Sequence, residues 1–230
     1  MARALLFATN SYLIFAVALP HRPPSHYDQA YFDKWYRHPK HRVKSPLDIR
    51  RQLSFIVSAA EYILERPVTK VLDVGAGEGH WGQALKKVRP RAKYFGVDPS
   101  EYAVQRFGKA RNLRLGGFGD LERLRLPDDF DLVLCCGVMN YVPPAELEAG
   151  LTWLTRACVG VAYFEIFTAA DDAVGDFTRS AARTPRWWRR LLHRAGWTPL
   201  GMHLYVRNDM AGIAAALERA IPQCCPRADI

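Results

Sequence analysis

Residues 70–82 read Lys-Val-Leu-Asp-Val-Gly-Ala-Gly-Glu-Gly-His-Trp-Gly. A short apolar run closes on Asp73 and Val74, and Gly75, Gly77 and Gly79 then alternate with Ala76 and Glu78. A strand that stops in a glycine-rich turn and runs into a helix makes a binding corner for a nucleotide. The missing side chains let a ligand lie against the main chain. Residues 80–88 present Trp81, Leu85 and Val88 at helical spacing, which supplies that helix. The second part of the signal is Tyr-Phe-Gly-Val-Asp-Pro-Ser at 94–100. Asp98 ends a second strand, where a carboxylate is placed to accept both hydroxyls of a ribose. Pro99 closes the strand and suits the start of a helix.

Together these residues resemble a known family, the class I S-adenosylmethionine-dependent methyltransferases. The family carries an acid followed by three alternating glycines after its first strand, matched by Asp73, Gly75, Gly77 and Gly79. Its ribose-binding acid matches Asp98. A nicotinamide-binding fingerprint would use Gly77, Gly79 and Gly82 and leave Asp73 and Gly75 unexplained. The resemblance implies an α/β fold, a Rossmann-like three-layer sandwich on a mostly parallel sheet of six or seven strands. It also implies S-adenosyl-L-methionine as cofactor. Asp120 matches an acid that the family places against the adenine amino group, with Phe118 or Leu121 beside the ring. The alternative for Asp120 is an N-cap of a short helix. The expected cofactor-binding set is Asp73, Gly75, Ala76, Gly77, Gly79, Asp98, Pro99, Phe118, Asp120, Leu121 and Cys136.

The elements that must hold these residues follow from the pattern. A helix is expected over 47–64, with Leu53, Ile56, Val57, Ala60, Ile63 and Leu64 on its buried side. Further helices are expected over 101–109, 144–156 and from Pro185, and strands over 112–115, 130–135 and 159–166. Residues 131–135 are apolar after Asp131, as in a central parallel strand. Ligands of open α/β sheets lie beyond the carboxyl ends of the strands, so Cys136, Met139, Asn140 and Tyr141 should stand near the reacting group. Residues 197–206 read as one strand and 209–220 as a helix, which leaves the family's second closing strand unaccounted for.

Before the core comes a run with Tyr27, Tyr31, Phe32, Trp35 and Tyr36 among charged residues. The resemblance makes it a cap over the cofactor and acceptor, with Tyr27, Tyr31 and Tyr36 as acceptor-binding residues alongside Met139 and Asn140. The other reading is a satellite cluster packed on the sheet edge. The expected division is an apolar segment 1–24, a cap with its entry helix 25–66, the core 67–222 and a flexible tail 223–230. Residues 4–20 resemble a weak signal peptide, but three polar residues at 9–11 interrupt them, and an upstream start or a loosely docked segment fits them better than export.

Methyl transfer asks chiefly that an acceptor be held in line with the methyl group and water excluded. An oxygen acceptor also needs a base. The candidates are Glu165, His193, His203 and His80, and the catalytic set taken forward is Tyr141, Glu165 and His193. No metal is expected. Asp171, Asp172 and Asp176 lack a specific ligand spacing and read as solvated acids or caps. Cys135 and Cys136 read as small buried side chains, because neither follows a proline as in cytosine carbon methylation. The loop also lacks the Pro-Pro-aromatic motif of the base and glutamine amino-methylating enzymes.

The chain has 230 residues, five cysteines and a net charge of +9. That cysteine count gives no disulfide framework, and a reducing, cytoplasmic setting is expected. The charge permits an RNA partner. The small size, the missing base-methylation motifs and the aromatic run favour a small-molecule acceptor over RNA, a protein acceptor or a non-catalytic binding protein. No stable membrane partner is expected, and the oligomeric state stays open.

Overall fold

The computed structural model describes residues 27–171, 176 and 180–214. The segment 1–24, Asp172, the helical reading beyond residue 214 and the tail 223–230 lie outside the described residues. The described chain begins with a short helix, α1 (Gln29–Phe32), that passes into a π-helical turn at Asp33–Arg37. Next comes α2 (Pro46–Leu64), opened by Pro46 and by a reciprocal cap between Ser45 and Asp48. The core then alternates β1 (Lys70–Val74), α3 (His80–Val88), β2 (Lys93–Asp98), α4 (Glu101–Arg111), β3 (Leu113–Leu115) and β4 (Phe130–Cys136). It continues through α5 (Pro144–Ala157), β5 (Cys158–Glu165), α6 (Pro185–Arg194), β6 (Trp197–Gly201) and β7 (Leu204–Arg207).

These strands form one seven-stranded sheet in the order β3-β2-β1-β4-β5-β7-β6. β7 runs antiparallel to both of its neighbours and the other pairings are parallel. Alternation along the strands feeds two cores. Val133, Cys135, Ala162 and Phe164 pack with α5 and α6, and Leu132, Leu134, Val161 and Tyr163 pack with α2 and α3. The order turns back between β1 and β4, and the glycine corner stands at that switch.

The single strand expected over 197–206 is corrected: it is a hairpin of two strands. Gly201, Met202 and His203 all have positive φ (+100°, +49° and +63°) and turn the chain back. Only Gly201 announced that turn. Pro199 lies in β6, the sheet edge, where its missing N–H takes no pairing from a neighbour. Behind the sheet, Asp131 at the start of β4 binds the preceding turn. It accepts from the Arg66 guanidinium at 2.6 Å, Thr69 N at 2.6 Å, Thr69 Oγ1 at 2.7 Å and Lys70 N at 3.0 Å.

Candidate active site

The glycine corner is pinned to the end of β2 by Gly75 N and Ala76 N, which donate to Val97 O at 2.8 and 3.0 Å. Gly77 has φ +52°, and a Cβ there would stand 2.6 Å from Tyr36 Oη and 3.2 Å from Phe32 Cε1. The loop therefore needs glycine for its backbone and for the aromatic cap laid directly on it. Asp98 is 6% exposed. Its carboxylate accepts from Gly77 N at 2.6 Å and Ser100 N at 2.8 Å. Burial pushes its pKa up to about 6, against the pull of those two N–H groups. Asp73 is buried more deeply, takes the Tyr94 hydroxyl at 2.5 Å, and is pushed by burial up to about 7. The corner brings together a glycine turn, a fixed carboxylate with an unused lone pair on each oxygen, and a second buried carboxylate behind it, under an aromatic cap.

The cap is fastened to that corner. Ser100 Oγ donates to Tyr27 O at 2.6 Å, Phe32 stacks on Tyr102 at 5.7 Å, and Arg37 forms an ion pair with Glu78 of the loop. Glu78 also faces His80 at 3.5 Å, and its carbonyl accepts from Arg111. Burial raises the Tyr36 phenol well above its usual range, with Asp98 the next cause. Tyr31 is raised as well, by burial and then by Tyr27, Tyr141, Asp176 and Asp98. Tyr27 and Tyr31 meet edge-on at 5.0 Å. Tyr141 donates to Asp176 O, and burial pushes its phenol up to about 12. The cap phenols and the exit of β4 thus share one neighbourhood.

Other expected residues stand elsewhere. Met139 is fully buried in the core. Asn140 spends both ends of its amide on the backbone of Phe167, and its carbonyl accepts from Ala181 N at 2.8 Å. Neither Met139 nor Asn140 presents a side chain to an acceptor. Phe118 and Leu121 are buried against α5, and Asp120 accepts from Gly117 N at 2.8 Å and pairs with Arg123. Asp120 thus caps its short helix from the third position, and Gly117, not Asp120 as in the alternative reading, is the N-cap. Pro99 and Cys136 border the corner at the ends of β2 and β4. His193 is exposed, and it lies three residues before Gly196, whose carbonyl accepts from Asn208 N at 2.8 Å beyond the end of antiparallel β7. This is the amino end of the parallel strands, away from the glycine corner, so the structure does not bring His193 to the site. His203 is exposed at the rim, with its ring 5.8 Å from Tyr163. Asp171 caps its own turn by accepting from Thr168 N at 2.6 Å. Among the described residues no group of three or more His, Cys, Asp or Glu side chains is placed to hold a metal.

Glu165 does stand at the carboxyl end of β5, but it is not free. Lys44 Nζ lies 2.7 Å from both of its oxygens, and Gln52 Nε2 donates at 3.2 Å to one of them and at 2.6 Å to Tyr163 Oη. Lys44 and Gln52 were missed because they precede the core by more than a strand, with no motif around them. Arg183, in the connection between β5 and α6, was missed because no motif surrounds it. It donates to Met139 O at 3.1 Å and Val142 O at 2.8 Å and stacks over Trp187 and Trp188, fixing the exit of β4.

A family model described as a methyltransferase domain matches residues 71–159, which run from β1 through α5 to the start of β5 and hold the glycine corner and Asp98. The match covers less than half of the chain, and it makes the part that holds the glycine corner and Asp98 similar to a methyltransferase domain. Solved structures share the fold. A SAM-dependent methyltransferase from Archaeoglobus fulgidus superposes with a TM-score of 0.54 at 16% identity, over 67% of this chain and 70% of its own. DesVI of Streptomyces venezuelae gives 0.55 at 16% identity, over 69% and 90%. The plantazolicin methyltransferase BpumL, solved with SAH, gives 0.55 at 16% identity, over 76% and 83%. No curated protein matches the chain. Among the described residues no helix is long and apolar enough to cross a membrane.

Proposed function

We propose that the chain transfers the methyl group of S-adenosylmethionine to a small-molecule acceptor seated between the cap and the exit of β4. The observation that carries this reading is the aromatic cap laid on the glycine corner: Tyr36 and Phe32 stand over Gly77, Tyr31 packs edge-on against Tyr27 and Phe32, and Ser100 beside Asp98 holds the Tyr27 backbone. The cofactor supplies a methyl group already activated on a sulfonium centre. Asp98 receives the ribose hydroxyls, and Asp73 faces the cationic part of the cofactor. Ala76, Pro99 and Cys136 line it, and the glycines admit it.

The chain's own contribution to the chemistry is placement and dryness. Tyr141, with its phenol pushed up to about 12, stays neutral and orients the acceptor by hydrogen bonding. Tyr27, Tyr31 and Tyr36 exclude water from above. Glu165, paired with Lys44, holds the linker between cap and α2 on the sheet. The cytoplasm, where the cofactor is made, is the proposed compartment. Incubation with methyl-labelled cofactor and separate metabolite, RNA and protein extracts tests the reading. Label in metabolites is the expected result. Label in RNA alone overturns the acceptor class and turns attention to the net charge of +9.

A further inference from the structure

Tyr94 sits at the outer end of β2, yet its hydroxyl reaches Asp73 on the neighbouring strand at 2.5 Å. Its ring gets there past Gly82 of α3, where a Cβ would stand 2.7 Å from two ring carbons and 2.9 Å from a third. Glycine is unfavourable inside a helix, so the sequence gives up helix preference there to make room for one phenol. The groups that face Asp73 are Tyr94 and Asp98 from β2, Cys135 and Cys136 from β4, and Tyr36 from the cap, all neutral or anionic. Asp73 Oδ2 takes the Tyr94 hydroxyl, and Oδ1 takes no hydrogen bond from the described residues.

We propose that Tyr94 is a positioning residue for cofactor capture, fixing one oxygen of Asp73 so that the other, still charged, meets the cationic part of S-adenosylmethionine. The proposal rests on the placement of Asp73 at that part of the cofactor. A hydroxyl that donates to a carboxylate favours its charged form, and here it opposes both burial and the charge of Asp98. Without it, Asp73 holds its proton to a higher pH, and a protonated Asp73 offers the cation nothing.

The test is calorimetric titration of S-adenosylmethionine into wild type, Tyr94→Phe, Asp73→Asn and the double variant between pH 6 and 9. The ratio of affinities at each pH cancels the titration of the cofactor's own amino group. Tyr94→Phe is expected to bind about tenfold more weakly than wild type at pH 7. The deficit shrinks towards pH 9 and vanishes in the Asp73→Asn background, because Tyr94 acts only through Asp73. In the cofactor-free protein, carbon NMR of the Asp73 carboxyl should titrate near 7 in wild type and higher in the variant. Gly82→Ala, whose methyl displaces the ring, repeats the pattern should Tyr94→Phe not fold. Equal affinities at every pH, a loss independent of pH, or a loss undiminished with Asp73→Asn overturns the role of Tyr94. A folded wild type that does not bind the cofactor at all overturns the cofactor reading instead.

Discussion

Asp73→Asn should make the cofactor-free protein more stable while impairing cofactor binding. Burial raises the Asp73 carboxyl from its usual 3.8 to about 7. The folded state therefore holds this proton more tightly than the unfolded chain does. The stability it contributes is complete below pH 4 and is lost as the pH rises through 7. A shift of about three units at 1.36 kcal/mol each sets a ceiling of about 4 kcal/mol on that loss. Asparagine keeps an oxygen for the Tyr94 hydroxyl but buries an amide, which takes back about 1 kcal/mol. The expected gain at pH 7.5 is about 2–3 kcal/mol, or about 5–10 °C in Tm for a chain of this length. Thermal unfolding of both proteins from pH 4 to 8 measures it. The difference should be near zero at pH 4, grow up to pH 7 and stay level above. Acid loss at groups such as Asp131, whose pKa Arg66 and Thr69 hold down, is common to both proteins and cancels. A variant no more stable than wild type at pH 7.5 would refute the burial argument.

Three further outcomes follow from the same geometry. Asp131→Ala should cost about 3–5 kcal/mol, read by denaturant unfolding, because it leaves the N–H groups of Thr69 and Lys70 without their acceptor and Arg66 without its partner. Tyr31→Ala and Tyr141→Ala should lower kcat with a detected acceptor about tenfold or more, while the Kd for cofactor moves less than threefold, since both are placed to orient the acceptor. Arg37→Ala should speed cofactor dissociation by about tenfold in stopped-flow, because it unlatches the cap from Glu78 and leaves a carboxylate that is 2% exposed with His80 as its remaining ion partner.

The glycine corner was legible as a structure because its geometry is local. Asp73, the three glycines and Asp98 lie within two strand ends, and backbone geometry constrains each of them. The core elements were legible for a similar reason, since long apolar runs leave few alternatives, and α3 has the limits its spacing implied. The acceptor half depends on contacts across more than a hundred residues. Lys44 meets Glu165 across a separation of 121 positions, and nothing near either one announces the other. Asn140 was misread for a related reason. Its position at a strand exit is a ligand's position, but its amide is spent joining that exit to Phe167. His193 was misread because helix period says which side faces out, not which end of the sheet the helix reaches. The hairpin at 201–203 was hidden because Met202 and His203 adopt left-handed backbone that their side chains do not advertise.

The central claim is that the glycine corner and Asp98 hold S-adenosylmethionine. Calorimetric titration of the purified chain, without added metal, with S-adenosylmethionine and its demethylated product tests it most directly. Wild type should bind both, and Asp98→Ala should bind each about 1–3 kcal/mol more weakly, because the ribose hydroxyls lose their acceptor. A folded wild type that binds neither would contradict the account, and an Asp98→Ala protein of unchanged affinity would contradict the place assigned to the ribose.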